Sequence, residues 1–399
     1  MSFSHCSRAQ SNCDCDISGE SPLGADISSL LEMLGTVHDP RKAKGKQYRL
    51  PFILAVCIVA TLAGAKGYSE IARKARDMPH SLLGKLGADW DWFRKRYKYP
   101  SKGTIRLVLS GVDGDQMDRV TGSWIAAQSP ASGNGEWEIA MDGKVMRGAW
   151  TSENDKITLF SAMIREEGLT IAQVRVPDDT NEITQVKALL DATPIPGADP
   201  AVFTLDAAHT QTETAEAIRK MPGWHYIMTV KGNQPTLQRA VFDAILPSLQ
   251  READDVMEDR SRGRLKRWSC WTTDASGIDF PGAVQAALVK REVFEVSGDR
   301  ISKEIALLLT SSDTERMSAV KLNLRTRSHW GIENKSHYVR DTVYQEDDNQ
   351  TWAGNGPQVL ASIHNLTIGL IRLKGINKIK ETIELIAGDR VRALEFMAT

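Results

Sequence analysis

Hydrophobic and polar positions divide the chain into two stretches with different periods. Before about residue 128, apolar residues recur at helical spacing in segments such as "DISSLLEMLG", "YSEIARKARDM" and "GTIRLVLSG", which predicts amphipathic helices. From residue 136 onward, short apolar runs alternate with helical segments in the order β-β-β-α-β-α-β-α. The pattern therefore predicts a helical domain at 26–128 and an α/β domain at 136–375.

Three further segments have patterns of their own. Residues 1–25 are typical of a disordered tail, and "SPASGNG" at 129–135 is typical of a linker. Strand-like runs between about 250 and 315 predict a β-rich insert in the α/β domain, and residues 376–399 predict a C-terminal helical tail. A zinc site in the first segment is an alternative, although its spacing fits no standard finger; the ligands would be His5, Cys6, Cys13 and Cys15.

The apolar run "LPFILAVCIVATLAGA" at residues 50–65 has 16 residues, fewer than the roughly 20 that a membrane span needs. Pro51 suits a first helical turn, and Gly64 and Gly67 suit a helix end. We therefore expect a buried helix and a soluble, cytoplasmic protein. The five cysteines are scattered and no secretory signal is present, so a disulfide framework is not expected.

Charge is distributed unevenly, although the net charge is only −1. Residues 41–110 contain 16 Lys or Arg and 4 Asp or Glu, with tyrosines interleaved among the clusters "RKAKGKQYR" and "RKRYK". A basic helical bundle of this kind predicts a helix-turn-helix-like contact with double-stranded DNA. The alternative is a basic domain that only stabilises the chain. The candidate DNA-binding residues here are Arg41, Lys42, Lys44, Lys46, Arg49, Lys102 and Arg106.

Two aspartates lie where predicted strands of the α/β domain end, Asp142 in "IAMDGK" and Asp206 in "FTLDAAH". Three strands, then a helix and alternating elements, are expected of a ribonuclease H-like mixed sheet, in which these two strands are neighbours. Paired carboxylates at such a place repel one another unless hard cations lie between them. We therefore predict a site for two Mg²⁺ or Mn²⁺ ions that acts on phosphodiesters. The alternative is that both aspartates only cap turns.

The segment "RSHWGIENKSHYVRD" at 327–341 places four polar residues at i, i+4, i+8 and i+11 of one predicted helix, and so on one stripe. Glu333 is the candidate third metal ligand. His329, His337 and Arg340 are candidate DNA contacts, of which His337 and Arg340 would hold a phosphate or a flanking strand. The stripe has two alternative interpretations. One is a zinc site through His329, Glu333 and His337, and the other is a salt-bridged helix face.

Four blocks, "MDGKVMRG", "FTLDAAHTQ", "YIMTVKGNQPTL" and "SHWGIENKSHYVRDTVYQED", resemble those of the H-repeat-associated family of insertion-sequence DDE transposases. The segment from Val37 to Ala72 resembles the N-terminal associated domain of that family. The resemblance implies a ribonuclease H-like catalytic domain that uses divalent metal to cut transposon ends and transfer strands into target DNA. It places the catalytic triad on Asp142, Asp206 and Glu333. It also draws attention to Lys231, Asn233 and Gln234 as DNA contacts, and to Asp341, Glu346 and Asp347.

The chain departs from related motifs at two places. The wider superfamily's Tyr-x2-Arg-x3-Glu-x6-Lys signature meets Thr326, His329 and Arg340 here. In the insert, "RGRLKRW" stands where the family tends to "HGRIETR", so that Arg262 and Lys266 replace His and Glu.

Three functions fit this sequence. The first is an active transposase that works on DNA terminal repeats as a homodimer and is associated with the nucleoid. The second is a domesticated or decayed copy that binds DNA without cutting it. The third is a ribonuclease H-fold nuclease that cuts without strand transfer.

Overall fold

The computed structural model describes residues 22–130, 135–150, 156–196, 199–261, 263–295, 297–329, 332–348 and 354–398, apart from the side chains of residues 150, 328 and 329. Predictions for residues 1–21, including the zinc alternative at His5, Cys6, Cys13 and Cys15, lie outside these ranges. So do most of the 129–135 linker and Arg262.

The first part of the chain is mainly helical. Ser101 accepts a hydrogen bond from the N–H of Thr104, and Asp113 accepts one from the N–H of Gln116, so each caps the helix that it precedes. A short hairpin, β1 (Trp90–Asp91) and β2 (Arg96–Tyr97), interrupts the helices. The helices are α1 (Ser28–Gly35), α2 (Leu50–Leu62), α3 (Tyr68–Arg76), α4 (His80–Lys85), α5 (Lys102–Gly111) and α6 (Gly114–Gln128).

Helix α2 lies at the centre of this region. Every residue of α2 except Pro51 is buried, which confirms the predicted buried helix. By length and composition alone, residues 43–62 could form a helix that crosses a membrane. In the fold, however, α2 is covered by α1, α3 and α5 and by three helices from the other end of the chain. These are α12 (Gly356–Leu373), α13 (Ile379–Gly388) and α14 (Ala393–Met397).

The α/β region is built on one mixed sheet of nine strands, in the spatial order β5-β4-β3-β6-β7-β11-β10-β9-β8. Strands β3, β6 and β7 are parallel to one another, and the other pairs are antiparallel. The strands are β3 (Trp137–Trp150), β4 (Lys156–Ile164), β5 (Leu169–Val176), β6 (Ala201–Leu205), β7 (Trp224–Val230), β8 (Asp255–Ser261), β9 (Arg264–Asp274), β10 (Gln285–Glu295) and β11 (Arg300–Thr310).

Helices separate the parallel strands as the hydrophobic pattern predicts. Helix α7 (Val186–Ala192) precedes β6, α8 (Thr212–Arg219) lies between β6 and β7, and α9 (Pro235–Ile245) follows β7. The predicted insert does contain strands, but β11 pairs with β7. The insert therefore extends the main sheet and does not form a sheet of its own.

The helical region and the sheet share one hydrophobic core. Helix α6 packs on β5 and α12, and buried Asp118 on α6 lies at this contact. Its carboxylate accepts hydrogen bonds from Gln173, Gln358 and Ser362. Burial raises the pKa of Asp118 to about 7, although these hydrogen bonds oppose the effect. The predicted domain boundary near residue 128 is thus crossed by extensive packing.

The segment from 327 to 341 is not one regular α-helix, and that prediction is wrong. Helix α10 covers Ala319–His329, a π-helical turn covers Glu333–His337, and α11 covers Tyr338–Val343. A π-helical turn closes its hydrogen bonds one residue later than an α-helix. It therefore rotates the residues that follow it away from the stripe on which a regular helix would place them.

Candidate active site

The sheet register brings Asp142 and Asp206 to neighbouring positions. Strands β3 and β6 pair in parallel, with Trp137 opposite Ala201 and each later residue in step as far as Ala140 and Thr204. Continuing this register aligns residue 142 with residue 206. Asp206 directly follows β6 as predicted, whereas Asp142 does not end its strand, because β3 continues to Trp150. The end of β6 therefore faces the middle of β3.

One cavity of about 620 Å³ is lined by Asp142, Asp206 and Glu333, the three predicted catalytic residues. Lys231, just after β7, lines it as well. Its far wall comes from the insert strands, where Lys266 and Trp268 of β9 contribute. The structure thus brings the three carboxylates to one opening between the main strands and the insert.

Asp142 is in a strongly acidic environment. Burial raises its pKa to about 7; a hydrogen bond from the N–H of Gly143 opposes the rise, and the negative charges of Asp206 and Glu182 add to it. Its Oδ1 accepts that hydrogen bond at 2.9 Å, and its Oδ2 lies 3.6 Å from Nδ1 of His337. A carboxylate so placed is stabilised by a nearby cation.

Asp206 also has a local role. Its Oδ1 accepts hydrogen bonds from the N–H groups of Ala208 at 3.0 Å and His209 at 3.4 Å, and so caps the 3₁₀ turn at 207–209. This capping is what the alternative interpretation predicts for Asp206. The aspartate side chain is nevertheless 48% exposed and lines the cavity. A turn cap through one oxygen is compatible with a ligand role through the other.

Two residues near the aspartates were missed by sequence reasoning, Glu182 and His209. A Cβ at position 143 would overlap the Glu182 carboxylate, which therefore lies directly against Gly143. His209 is buried, with its Nε2 3.7 Å from Glu182 and its ring stacked on Phe160 at 4.7 Å. The sequence signals available were a glycine directly after Asp142 and a histidine three residues after Asp206.

Part of the predicted DNA-binding stripe lies inside the protein. Burial, together with the cationic neighbours Arg340 and Lys144, lowers the pKa of His337 to about 3, so the imidazole is neutral and cannot act as a cationic phosphate clamp. Arg340 is 0% exposed; its Nε donates a hydrogen bond to Oε2 of Glu346 at 2.8 Å, and its Nη2 lies 2.7 Å from the same oxygen. Burial of both side chains does not favour a DNA contact by His337 or Arg340, which stays a prediction. The side chain of His329 lies outside the described residues.

Arg340 instead belongs to a buried polar cluster with Glu346 and His364. His364 on α12 lies with its Nδ1 3.0 Å from Glu346, and its ring stacks on Tyr344. Burial alone would raise the pKa of Glu346, but Arg340 and the His364 hydrogen bond outweigh it and hold that pKa at about 2. The cluster joins α11, α12 and the 3₁₀ turn at 346–348.

Lys144 fastens the segment after Glu333 to the strand that carries Asp142. Its Nζ donates to Asp341 at 2.6 Å and to Asp347 at 3.4 Å. Lys144 lies two residues beyond Asp142 on β3, so this buried cation fixes Asp142 relative to the Glu333 segment. Asp341, Glu346 and Asp347, to which the family resemblance drew attention, thus all take part in positioning.

The residues after β7 brace the Asp206 loop. Asn233 donates through Nδ2 to the carbonyl of Ala207 at 2.7 Å. Gln234 donates through Nε2 to the carbonyl of Thr210 at 3.2 Å. Lys231 is exposed at the cavity. Of the three predicted DNA contacts here, two hold a loop and Lys231 faces the opening.

Most of the predicted DNA-binding residues in the helical region are on the surface. Arg41 is the exception, since its side chain is 5% exposed and bonds Asp39 and the carbonyl of Tyr48. These internal partners do not favour a DNA contact by Arg41, which stays a prediction. Lys46 lies 3.7 Å from Asp39 but remains exposed. The other exposed members are Lys42, Lys44, Arg49, Lys102 and Arg106.

Comparison with known proteins gives consistent matches along the chain. The family model described as "Transposase DDE domain" matches residues 133–368, and the one described as "DDE_Tnp_1-associated" matches residues 31–125. "Putative protein YbfL" of Escherichia coli (strain K12) is 27% identical over 360 residues, which are 87% of this chain and 91% of that protein. "H repeat-associated putative transposase YhhI" of the same strain is 26% identical with the same coverage.

The fold is also similar to that of piggyBac transposase in a synaptic complex with hairpin DNA, at a TM-score of 0.41 and 9% identity, over 95% of this chain and 79% of that one. A likeness this weak says nothing about function. The family model, in contrast, matches more than half of the chain and includes Asp142, Asp206 and Glu333. The resemblance drawn from the sequence blocks is thereby confirmed, and the chain belongs to the transposase DDE domain family.

Proposed function

We propose that the chain is the transposase of an insertion sequence, which binds terminal repeats, cleaves phosphodiester bonds and transfers the strands to target DNA. The observation that carries this proposal is the shared cavity of Asp142, Asp206 and Glu333 within the region matched to the family. Carboxylates brought together from three separated segments are the donor set that metal-dependent phosphoryl transfer requires.

The proposal includes a ribonuclease H-like catalytic domain. Its support is the strand order β5-β4-β3-β6-β7, with two antiparallel pairs followed by two parallel ones. Residues 26–128 would be the DNA-binding domain, supported by the exposed cations on its loops and helix α5. The cytoplasm, at the nucleoid, is the proposed location.

Asp142, Asp206 and Glu333 would hold the divalent cations, Mg²⁺ or Mn²⁺, two in number. Among the described residues, no group of three or more His, Cys, Asp or Glu side chains is arranged closely enough to hold an ion by itself. The fit rests on Asp142, whose raised pKa reflects burial beside the charges of Asp206 and Glu182. When bound, such ions activate a water or hydroxyl and stabilise the leaving oxygen.

Side chains of this protein would bind the DNA strand and hold the three carboxylates in position. Lys231 at the cavity offers a cation to a phosphate of the entering strand. Asn233 and Gln234 hold the loop that presents Asp206. Lys144 keeps the Glu333 segment against β3 by binding Asp341 and Asp347. Because two transposon ends must be brought together, we propose a homodimer on double-stranded DNA.

The test uses a supercoiled plasmid that carries the DNA flanking both sides of the coding sequence, with Mg²⁺ or Mn²⁺. Joined products support the transposase, nicks without joining support a nuclease, and DNA binding without either supports a non-catalytic protein. Glu333→Gln should lower cleavage at least about 100-fold, since about 3 kcal/mol of lost transition-state stabilisation corresponds to two decades in rate. DNA affinity should not change. Glu213→Gln, on the exposed face of α8, is the matched control and should cleave normally.

A further inference from the structure

The hairpin formed by β1 and β2 carries two aromatic side chains at its tip that are largely exposed to solvent, although the Trp92 ring also meets Trp90 edge-on at 6.5 Å. Trp92 is 82% exposed and Phe93 is 100% exposed. Isolated exposed apolar residues are common, but two adjacent large aromatics at the tip of a hairpin are not accounted for by core packing. We therefore expect the tip of this hairpin to contact a binding partner.

The base of the hairpin is firmly held. The Trp90 ring contacts Tyr97 edge-on with centroids 5.0 Å apart, and His80 of α4 packs against both rings. Tyr97 lies so close to α4 that a Cβ at Gly84 would come within 2.9 Å of its ring. The aromatic base therefore fixes the direction in which the tip projects.

The tip itself has a defined turn. Asp91 Oδ1 accepts hydrogen bonds from the N–H groups of Phe93 and Arg94, both at 3.1 Å. Lys95 adopts a positive φ of 50°, a strained conformation for a residue with a side chain. The backbone bonds thus hold Trp92 and Phe93 outward, at a small conformational cost. Ordering the tip before binding reduces the entropy lost when a partner binds.

The charge beside the aromatics indicates the partner. Arg94, Lys95 and Arg96 directly follow Phe93 and are exposed, and Arg96 also lies over the Tyr99 ring at 5.5 Å. Planar aromatic groups next to clustered cations match the flat bases and the phosphates of a nucleic acid. Arg94 also lies 3.8 Å from Asp91. An uncharged apolar protein surface would offer these cations no complementary charge.

We propose that Trp92 and Phe93 form an aromatic wedge that stacks on DNA bases where the duplex is bent or opened. Arg94, Lys95 and Arg96 bind the phosphates on either side. This inference rests on the proposed function, because it takes DNA as the partner of the protein. It assigns the helical region a role in deforming the DNA, in addition to the phosphate binding expected of the exposed lysines.

The experiment uses the full chain and a duplex taken from the DNA flanking the coding sequence, with 2-aminopurine placed at successive positions. Wild-type protein should raise the 2-aminopurine fluorescence at one or two positions as a base loses its stacked neighbour. The double variant Trp92→Ala/Phe93→Ala should abolish that signal. It should also weaken binding about 10- to 100-fold, the range expected for losing one or two base–aromatic contacts.

Three matched variants separate stacking from other effects. Trp92→Phe/Phe93→Tyr retains the aromatic faces and should retain both the signal and the affinity. Arg94→Ala/Lys95→Ala should reduce the salt dependence of binding, whereas the aromatic double variant should leave it unchanged. Phe242→Ala removes an exposed aromatic from α9 and should have no effect. Circular dichroism checks that each variant is folded.

The outcomes are distinct. If the alanine double variant matches wild type in affinity and fluorescence, the wedge is refuted while the proposed function stands. If that variant loses only self-association, or only binding to anionic lipid vesicles, the tip binds a second copy or a membrane and the wedge is likewise refuted. If wild-type protein does not bind the duplex at all, the proposed function fails, and the wedge fails with it.

Discussion

Replacement of Arg340 by alanine tests whether this residue is an internal ion-pair partner or a DNA contact. Arg340 is fully buried and bonds Glu346, which is also buried. Removing the guanidinium leaves the Glu346 carboxylate without its main cation, and breaking a buried pair in this way costs about 3–5 kcal/mol. With an unfolding entropy of about 2.1 cal/mol/K per residue, that loss should lower Tm by about 4–6 °C for a chain of this length.

Thermal and urea unfolding measure the effect, with anisotropy of labelled terminal DNA recorded on the same samples. The matched control is Arg239→Ala, which breaks an exposed pair with Asp243 on α9 and should change stability by less than about 0.5 kcal/mol. Arg340→Met combined with Glu346→Gln removes both charges and should recover most of the loss. Unchanged stability of Arg340→Ala together with weakened DNA binding would refute the buried role.

Three further predictions concern metal, pH and salt. Mg²⁺ or Mn²⁺ should raise the Tm of wild-type protein but not that of Asp142→Asn, because a metal ion that binds only the folded protein stabilises the folded state. An equal rise in Tm for both proteins would show that Asp142 is not a metal ligand. The pKa of Glu346 is depressed from 4.5 to about 2, so its contribution of about 3 kcal/mol is complete above pH 4.5 and is lost as the pH falls toward 2. The stability difference between wild type and Glu346→Gln in urea should therefore shrink with acidification, and a constant difference would contradict the assignment. Lys42→Ala/Lys44→Ala should reduce the slope of the logarithm of the DNA-binding constant against the logarithm of salt concentration, by the amount expected for losing about two phosphate contacts. An unchanged slope would show that these lysines do not contact the phosphates.

The meeting of Asp142 and Asp206 was predictable because each follows an apolar run, in strands that the predicted topology makes neighbours. The offset of 64 residues that places them side by side is the register between β3 and β6 in the fold. Strand order alone does not fix this register, and β3 continues past Asp142 to Trp150. The hydrophobic pattern placed helix α8 between β6 and β7 correctly.

The Glu333 segment shows where such reasoning fails. A stripe through Arg340 assumes 3.6 residues per turn along the whole segment, and the π-helical turn at 333–337 breaks that period. A charged residue in a sequence also gives no sign of whether its partner is solvent or a buried acid. Arg340 is matched by Glu346 only because a 3₁₀ turn carries that glutamate back toward α11.

Glu182 and His209 were missed for a different reason. Glu182 lies in the turn after β5 that folds over Gly143, and His209 approaches it from the turn after β6. These are tertiary contacts with no periodic signal. Local patterns predict elements and the contacts between neighbouring strands. They do not predict which loop covers a given strand.

The central helix α2 has a consequence for how this protein is made. Its apolar surface points in every direction. Three of the six helices that cover it, α12, α13 and α14, lie some 300 residues later in the chain. A ribosome adds about 5–20 residues per second, so α2 leaves it many seconds before those helices exist. During that interval the apolar surface of α2 is exposed in the nascent chain, and we expect chaperones to bind it. The chain must therefore be synthesised as far as α14 before the helical region acquires its mature shape.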